Sequence, residues 1–203
     1  ALGECYAGKT LVIPERAADE DAAACDRRDE LLRIAFRREY ECHRALSGFK
    51  GFPRLYGYGF VDGAPAIIME WVEGVTLAQA HRVLAVDDEG RLSPLTAAQI
   101  GRGLFELLTR MDLAGGGFVH RDISPANIMV RTGHLSLEQQ SDEGEFDLCL
   151  IDFGSSSMVQ SADPTFTERF STARRATPAY APPEMLSDDI AHVERLRTSP
   201  AVD

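Results

Sequence analysis

The sequence has little of several features that would point to a particular class of protein. Its 203 residues include four cysteines, and these form no CxxC pair and have no histidine at zinc-site spacing. A zinc-ribbon or CxxC redox protein is therefore excluded, and small buried thiols in a reducing compartment are favoured. No apolar run approaches the ~20 residues that a membrane-spanning helix needs. We therefore expect no membrane segment within this chain.

Positive charge is also scarce. There are 21 Lys and Arg residues against 32 Asp and Glu residues, which gives a formal net charge of -11. Because an acidic surface repels the phosphate backbone of DNA and RNA, we expect no nucleic-acid partner. The hydrophobic share of 44% and the charged share of 26% are typical of a globular domain and argue against disorder.

In the first half of the chain, the spacing of apolar residues predicts a strand, a helix and a hairpin. Residues 4–13 read as a strand, and residues 14–28 as a polar, partly helical insertion. Residues 29–46 carry an apolar stripe at helical spacing. Two short apolar runs, 55–61 and 66–72, are separated by an Asp-Gly pair, which predicts a β-hairpin.

The second half changes in character after one more helix, predicted at residues 96–113. Residues 128–130 and 148–152 are short apolar runs that predict a pair of strands, with a polar loop at 131–146 between them. Residues 154–180 are rich in Ser, Thr and Arg without periodicity, as expected of a long loop.

Three motifs carry most of the functional information. They are HRDISPAN at residues 120–127, DFG at 152–154 and TPAYAPPE at 177–184. In this order and context they resemble the catalytic loop, the metal-binding motif and the end of the activation segment of eukaryotic-type (Hanks-type) protein kinases. The Ser-Pro form of the first motif looks bacterial. Thr177, ahead of the Pro-x-Tyr that follows it, fits a serine/threonine kinase better than a tyrosine kinase.

The resemblance implies an α+β, bilobal fold. A small, mostly antiparallel β lobe with one helix (residues 1–73) would be joined by a hinge to a mainly helical lobe (74–203), with ATP in the cleft. No G-x-G-x-x-G precedes Lys9, and little follows the third motif. We therefore expect a kinase domain truncated at both ends, and little or no activity from it in isolation. Asp203 is expected to anchor the backbone of the catalytic loop.

Phosphoryl transfer needs an in-line nucleophile, neutralised phosphate charge and rigid positioning. The resemblance implies that Asp122 is the catalytic base for a hydroxyl of a protein substrate. Asn127 and Asp152 would hold Mg²⁺, for which amide and carboxylate oxygens are suitable ligands. Lys9, in YAGK, would bind the α- and β-phosphates of ATP and pair with Glu39 on the first helix.

Glu41 is the alternative partner for Lys9. It lies two positions from Glu39 and therefore on another face of the helix. The separation between Lys9 and Glu39 is longer than expected of the family, and we place the extra length in the polar insertion at 14–28. Glu39 is preferred because its register fits the segment that follows the helix.

The adenine ring would lie against IIMEWVEG, residues 67–74. By resemblance, Met69 would be the gatekeeper beside adenine, and the backbones of Glu70 and Val72 would hydrogen-bond its edge. Met129, just after the catalytic loop, would form the apolar floor. Methionine is equally suited to plain core packing, which does not exclude lining a pocket.

Ser124 departs from the family pattern, since serine/threonine kinases usually carry Lys at this position. Loss of a cation where charge develops removes a contribution that reaches a few kcal/mol in such sites. Arg121 is expected to bind a phosphate on the activation loop, since a planar guanidinium pairs well with phosphate. Four residues are candidates to carry that phosphate: Thr165, Thr167, Ser171 and Thr172.

Two other functions stay open beside a protein kinase. A pseudokinase, an ATP-binding regulatory or scaffold module, would share the fold, although Lys9, Asp122, Asn127 and Asp152 are all present. A small-molecule phosphotransferase of the aminoglycoside or choline kinase kind would share the His-x-Asp loop but lack an activation segment ending in Pro-Pro-Glu. A cytoplasmic location is expected, and a membrane anchor elsewhere in a longer protein remains open.

Overall fold

Strands and helices alternate along the chain, and the computed structural model describes residues 4–16, 20–115, 117–158, 177–186 and 203. The strands are β1 (Tyr6–Thr10), β2 (Leu55–Val61), β3 (Ala64–Glu70), β4 (Gly74–Thr76), β5 (Phe118–Val119), β6 (Ile128–Arg131), β7 (Leu148–Leu150) and β8 (Ser157–Met158). The helices are α1 (Ala22–Leu46), α2 (Leu77–Leu84), α3 (Pro94–Leu113), α4 (Leu137–Glu143) and α5 (Pro183–Leu186).

The first sheet is antiparallel, with strand order β1-β3-β2. The predicted hairpin is confirmed, and its turn residues Asp62 and Gly63 have φ values of 51° and 79°. Positive φ at both positions is typical of a type I′ turn, which matches the twist of the paired strands. β1 ends at Thr10, earlier than predicted. Beyond it lies Pro65 of β3, which has no N–H with which to continue the ladder.

Helix α1 begins at Ala22 and not at residue 29, so the predicted helix start is wrong. The side chain of Asp21 accepts hydrogen bonds from the N–H groups of Ala23 and Ala24 and thereby caps the first turn. The insertion expected at 14–28 is therefore helical in its second half. Residues 22–28 of the extra length between Lys9 and Glu39 thus belong to α1.

One face of α1 packs against the first sheet. Phe36 and Tyr40 contact Tyr58 of β2, with ring centroids 6.1 Å and 5.4 Å apart. The buried residues on this helix recur at helical spacing: Cys25, Asp29, Phe36, Glu39, Cys42, His43 and Leu46. Because Glu39 lies on the buried face, its carboxylate is directed towards β1 and not into solvent.

The second sheet has the order β4-β6-β7, and its β6–β7 pair confirms the predicted strand pair. β4 enters this sheet at Gly74, which pairs with Arg131 and has a φ of 154°. A Cβ atom at Gly74 would lie 2.1 Å from the carbonyl oxygen of Val130. Only glycine therefore allows β4 to approach β6 this closely.

The polar loop predicted at 131–146 is wrong, because α4 lies within it. Ser136 and Gln139 form a capping box at its start, and Gly144 ends it in the left-handed conformation with φ 75°. Gln140 is buried, and its side chain donates hydrogen bonds to the carbonyl oxygens of Arg131 and Leu135. Local capping and this anchor stabilise a helix that has little apolar periodicity.

The helices around the second sheet also begin where a side chain caps their first turn. α3 follows the N-cap Ser93 and has proline at its first position, two residues before its predicted start. α2, which the apolar spacing did not predict, starts with a capping box formed by Thr76 and Gln79. These helices bury the main core with β6 and β7, which includes Leu77, Ile100, Leu107, Met111, Ile128, Val130, Leu148, Leu150 and Phe153.

The predicted α+β architecture is confirmed: a small antiparallel sheet with one long helix is followed by a region of mainly helices. Among the residues that the structure describes, no helix combines the length and the apolar character needed to cross a membrane.

Candidate active site

Three charged side chains from distant parts of the chain meet at Lys9. Its Nζ lies 2.5 Å from Oε1 of Glu39 and 2.7 Å from Oδ1 of Asp152. Lys9 lies on β1, Glu39 on the buried face of α1, and Asp152 just beyond β7. Glu41 instead pairs with Arg44, at 2.6 Å. The structure thus brings together Lys9 and the preferred glutamate.

The charges of this group support one another. Burial alone lowers the pKa of Lys9, but the Glu39 and Asp152 carboxylates outweigh burial and raise it. Burial likewise raises the pKa of Asp152, while the hydrogen bond from Lys9 and the N–H of Gly154, 3.1 Å away, lower it overall. Asp152 is therefore a carboxylate, and Lys9 an ammonium, at neutral pH.

The Asp122 carboxylate is held by donors on both oxygens. Oδ2 accepts a hydrogen bond from Nδ2 of Asn127 at 2.8 Å. Oδ1 accepts from the backbone N–H and the hydroxyl of Thr177, at 2.8 Å and 2.9 Å. The contact with Thr177 was not foreseen, although the TPAYAPPE motif drew attention to this residue. These donors fix the orientation of the carboxylate, as a positioned base requires.

The backbone that leads into the catalytic loop is anchored by Asp203. Its carboxylate accepts hydrogen bonds from the N–H of His120 at 2.6 Å and of Arg121 at 2.7 Å. Arg121 has a φ of 68°, in the left-handed region that non-glycine residues rarely adopt. The two hydrogen bonds to the Asp203 carboxylate hold this strained conformation in place, and the predicted anchor is confirmed.

A cluster of packed rings connects α1 with the catalytic loop. The ring of Phe153 lies between His43 and His120, with centroid distances of 4.8 Å and 5.6 Å. Nε2 of His43 is also 2.8 Å from the carbonyl oxygen of Pro53. His43 was not predicted from the sequence, in which its only signal is a position one helical turn after Glu39.

A cavity of about 450 Å³ lies between β1, α1 and the segment after β7. Lys9, Glu39, Asp122 and Asp152 line it together with Thr177. Apolar residues of α1 and of the segment just after β1 complete the wall, among them Leu11, Val12, Leu32, Ala35 and Phe36. The site thus has one ammonium group and three carboxylates around a space large enough for a polyphosphate.

The residues predicted to bind adenine lie outside this cavity lining. Met69 of β3 pairs with Ala7 of β1, and Met129 of β6 pairs with Cys149 of β7. Both are half-buried. Asn127, which contacts Asp122, also lies outside the lining.

The two predicted hinge residues differ in their backbone hydrogen bonds. The N–H of Glu70 donates to the carbonyl oxygen of Arg54 at 2.8 Å, so it is not available to a ligand. Within the described part of the chain, the backbone of Val72 takes part in no hydrogen bond. For Glu70, the prediction that its backbone hydrogen-bonds adenine therefore applies only to the carbonyl oxygen.

Ser124 is buried at 2% exposure, and its hydroxyl has no hydrogen-bond partner among the described residues. The side chain that replaces the usual lysine therefore adds no charge to the site. The four candidate phosphate carriers, Thr165, Thr167, Ser171 and Thr172, lie outside the described residues.

Proteins and domains with sequences similar to this chain are protein kinases. The model of the protein kinase domain matches residues 3–202. The serine/threonine-protein kinase AfsK of Streptomyces coelicolor is 29% identical over 160 residues, which are 79% of this chain and 17% of AfsK. The serine/threonine-protein kinase pkn3 of Myxococcus xanthus is 33% identical over 126 residues, 61% of this chain and 20% of pkn3.

A third bacterial relative covers more of the chain. The probable serine/threonine-protein kinase PknB of Corynebacterium glutamicum is 28% identical over 188 residues, 90% of this chain and 26% of that protein. The chain thus spans about a quarter or less of these curated relatives. The family model covers almost every residue and includes all three motifs, so the resemblance seen in the sequence is confirmed, and the chain belongs to the protein kinase domain family.

Proposed function

We propose that this chain transfers the γ-phosphate of Mg-ATP to serine or threonine hydroxyls of protein substrates. Residues 1–73 and 74–203 act as the two lobes, and the reaction takes place in the cytoplasm, where ATP is supplied. The observation that carries the proposal is the position of Lys9, whose ammonium group contacts Glu39 and Asp152 in a cavity that Asp122 also lines.

Lys9 acts on the nucleotide. An ammonium group held by two carboxylates keeps its charge and its position, and a phosphate oxygen can accept one of its three N–H bonds. Glu39 stays paired with Lys9 and holds the ammonium group in place beside Asp152. The family names of the relatives favour serine or threonine as the acceptor.

Asp122 acts on the substrate hydroxyl. Its Oδ2 accepts the hydroxyl proton while the oxygen forms a bond to the γ-phosphorus and the bond from phosphorus to the ADP oxygen breaks. Asn127 and Thr177 hold the carboxylate during this transfer. Since Ser124 supplies no cation, Lys9 stabilises the negative charge that develops, and Mg²⁺ held by Asn127 and Asp152 would add to this effect.

The donor set fits Mg²⁺. Nδ2 of Asn127 is used by Asp122, which leaves its Oδ1 as a possible ligand, and Oδ1 of Asp152 is used by Lys9 and Gly154, which leaves Oδ2. In the part of the chain that the structure describes, no group of three His, Cys, Asp or Glu residues could hold a metal alone. Magnesium commonly takes one or two protein ligands together with phosphates, and when bound it neutralises phosphate charge.

The adenine ring is proposed to lie beside Met69, as the gatekeeper, and on Met129, as the apolar floor. The carbonyl oxygen of Glu70 and the backbone of Val72 would recognise its edge. Support comes from Val72, whose backbone groups form no hydrogen bond within the described part of the chain.

The test is phosphate transfer by the full-length protein from labelled Mg-ATP to a generic protein substrate, with phosphoamino-acid analysis. We expect label on serine or threonine, and a loss of about 100-fold or more in kcat for Asp122→Asn and Asp152→Asn. Glu41→Gln, which alters a glutamate of α1 outside the site, is the matched control and should retain activity.

Binding of Mg-ATP without any transfer would contradict the proposal and favour a regulatory pseudokinase. In that case Ser124→Lys is the informative variant, since recovery of transfer would show that the missing cation is the defect. Label on a small-molecule alcohol and none on protein would favour a small-molecule phosphotransferase.

A further inference from the structure

Glu70 and Arg131 form an ion pair between the two sheets. Glu70 is the last residue of β3 in the first sheet, and Arg131 is the last residue of β6 in the second. Nη1 of Arg131 donates to Oε1 of Glu70, and Nη2 lies 3.3 Å from Oε2. This two-point contact of a planar guanidinium with a carboxylate is more directional than a single hydrogen bond.

Each partner is fixed by its own surroundings. Oε2 of Glu70 also accepts a hydrogen bond from the N–H of Arg54 at 2.9 Å. Nη2 of Arg131 lies 3.3 Å from Sγ of Cys149, and its backbone N–H donates to the carbonyl oxygen of Asp147 at 2.9 Å. Since neither residue can move without breaking these contacts, the pair connects two rigid elements and not two mobile side chains.

Both members remain charged at neutral pH. The hydrogen bond from Arg131 is the main cause that lowers the pKa of Glu70, and it outweighs the opposing effect of burial. The side chains of Arg131 and Glu70 are only 23% and 27% exposed, respectively, so water and salt screen this pair less than a surface ion pair. The contact is therefore an attraction between two full charges at neutral pH.

We propose that the Glu70–Arg131 pair is a clamp that holds the hinge end of β3 against β6. The clamp thereby sets the separation of these two strands at the adenine site. This inference rests on the proposed function. β3 carries Met69, which is proposed to lie beside adenine, and β6 carries Met129, which is proposed to form the floor beneath it. Glu70 and Arg131 act through these residues and are positioning residues.

The clamp predicts an effect on nucleotide affinity with little effect on the transfer step. Removing either charge loosens the end of β3 against β6, although the two strands stay connected through β4, so adenine loses part of its contact with Met129 while Lys9, Asp122 and Asp152 keep their own partners. We expect Glu70→Gln and Arg131→Gln each to raise the dissociation constant for Mg-ATP about fivefold. Glu70→Gln leaves unchanged the backbone carbonyl that is proposed to contact adenine.

The test is a double-mutant cycle on Mg-ATP binding to the full-length protein, measured by calorimetry, with kcat determined in parallel. Because both substitutions remove one contact, Glu70→Gln/Arg131→Gln should bind no more weakly than either single variant. Arg131→Lys keeps the charge but loses the two-point geometry, and we expect an intermediate value. Arg91→Gln, which breaks a 2.7 Å ion pair with Asp87 away from both sheets, is the control.

The outcomes separate this inference from the proposed function. Native protein that binds Mg-ATP, with variants that bind equally well or with additive losses, would overturn the clamp alone. Native protein that binds no Mg-ATP would overturn both. If a glutamine variant does not fold, as judged by circular dichroism, Arg131→Lys decides the question, and binding equal to that of the native protein would overturn the clamp.

Discussion

His43 is the side chain through which α1 contacts Phe153, and it is a titratable group in the core. It is 1% exposed, and burial lowers its pKa although the carbonyl of Pro53 opposes this effect. The folded protein therefore prefers neutral His43, while the unfolded chain binds a proton below about pH 6.5. The stability that neutral His43 provides is present above this pH and is lost as the pH falls from about 6.5 to the lower pKa of the folded state.

We therefore predict that the free energy of unfolding declines as the pH is lowered from 7.5 to 5.5, and that His43→Gln reduces this decline. Glutamine keeps an N–H donor for Pro53 but cannot titrate. One proton accounts for at most about 1.4 kcal/mol per pH unit. His120, whose pKa burial also lowers, should preserve part of the slope.

Urea titrations at several pH values measure this effect. His134→Gln, which replaces an exposed histidine in the same way, is the control. An identical slope for His43→Gln and the native protein would show that His43 is not the titrating group.

Motifs pointed to single residues at fixed offsets and missed residues whose contacts depend on packing. Asp122, Asn127 and Asp152 were singled out because the motifs place polar groups at fixed offsets from a turn or a strand end, and their catalytic roles stay predictions. His43 was missed because its importance depends on the distance between α1 and Phe153, which no local pattern encodes. The contact of Thr177 with Asp122 was missed for the same reason.

At the scale of the element, α4 shows that capping can define a helix where apolar periodicity is weak. Ser136 caps its first turn, and Gln140 fastens it to Arg131. We predict that Ser136→Ala lowers the free energy of unfolding by about 1 kcal/mol, because the N–H of Gln139 loses its acceptor. Chemical denaturation measures this loss.

Ser136→Asp is the matched control, since aspartate is an equally good cap. An unchanged stability for Ser136→Ala, or an equal loss for both variants, would show that the hydroxyl does not stabilise the helix.

The element bounds show which local signals were overlooked. Both capping boxes, Thr76 with Gln79 and Ser136 with Gln139, are readable from the sequence, and both precede helices that the apolar spacing did not predict. The early start of α1 follows from the cap at Asp21. The β2–β3 hairpin was predicted well because its turn residues determine their own backbone conformation.

For the whole molecule, the active site joins both parts of the fold, so its ligand should stabilise the folded chain. At a Mg-ATP concentration 100 times the dissociation constant, we predict a gain of about 2.7 kcal/mol in the free energy of unfolding. Thermal unfolding with and without Mg-ATP measures the gain. Asp152→Asn or removal of the metal by a chelator should abolish most of it.

Glu41→Gln should show the full gain, because Glu41 pairs with Arg44 on the surface of α1. Equal stabilisation of Asp152→Asn and the native protein would place the nucleotide elsewhere.

Asp203 has a bearing on how the protein is made. Its carboxylate fixes the N–H of a residue 83 positions earlier, at His120. A ribosome adds roughly 5–20 residues per second, so Asp203 is synthesised roughly 4 to 17 s after His120. During that interval the N–H groups of His120 and Arg121 lack the carboxylate that accepts their hydrogen bonds in the folded protein. The first sheet, whose strands all precede His120, can therefore form before the backbone at His120 and Arg121 gains its anchor, which must wait until Asp203 has left the exit tunnel.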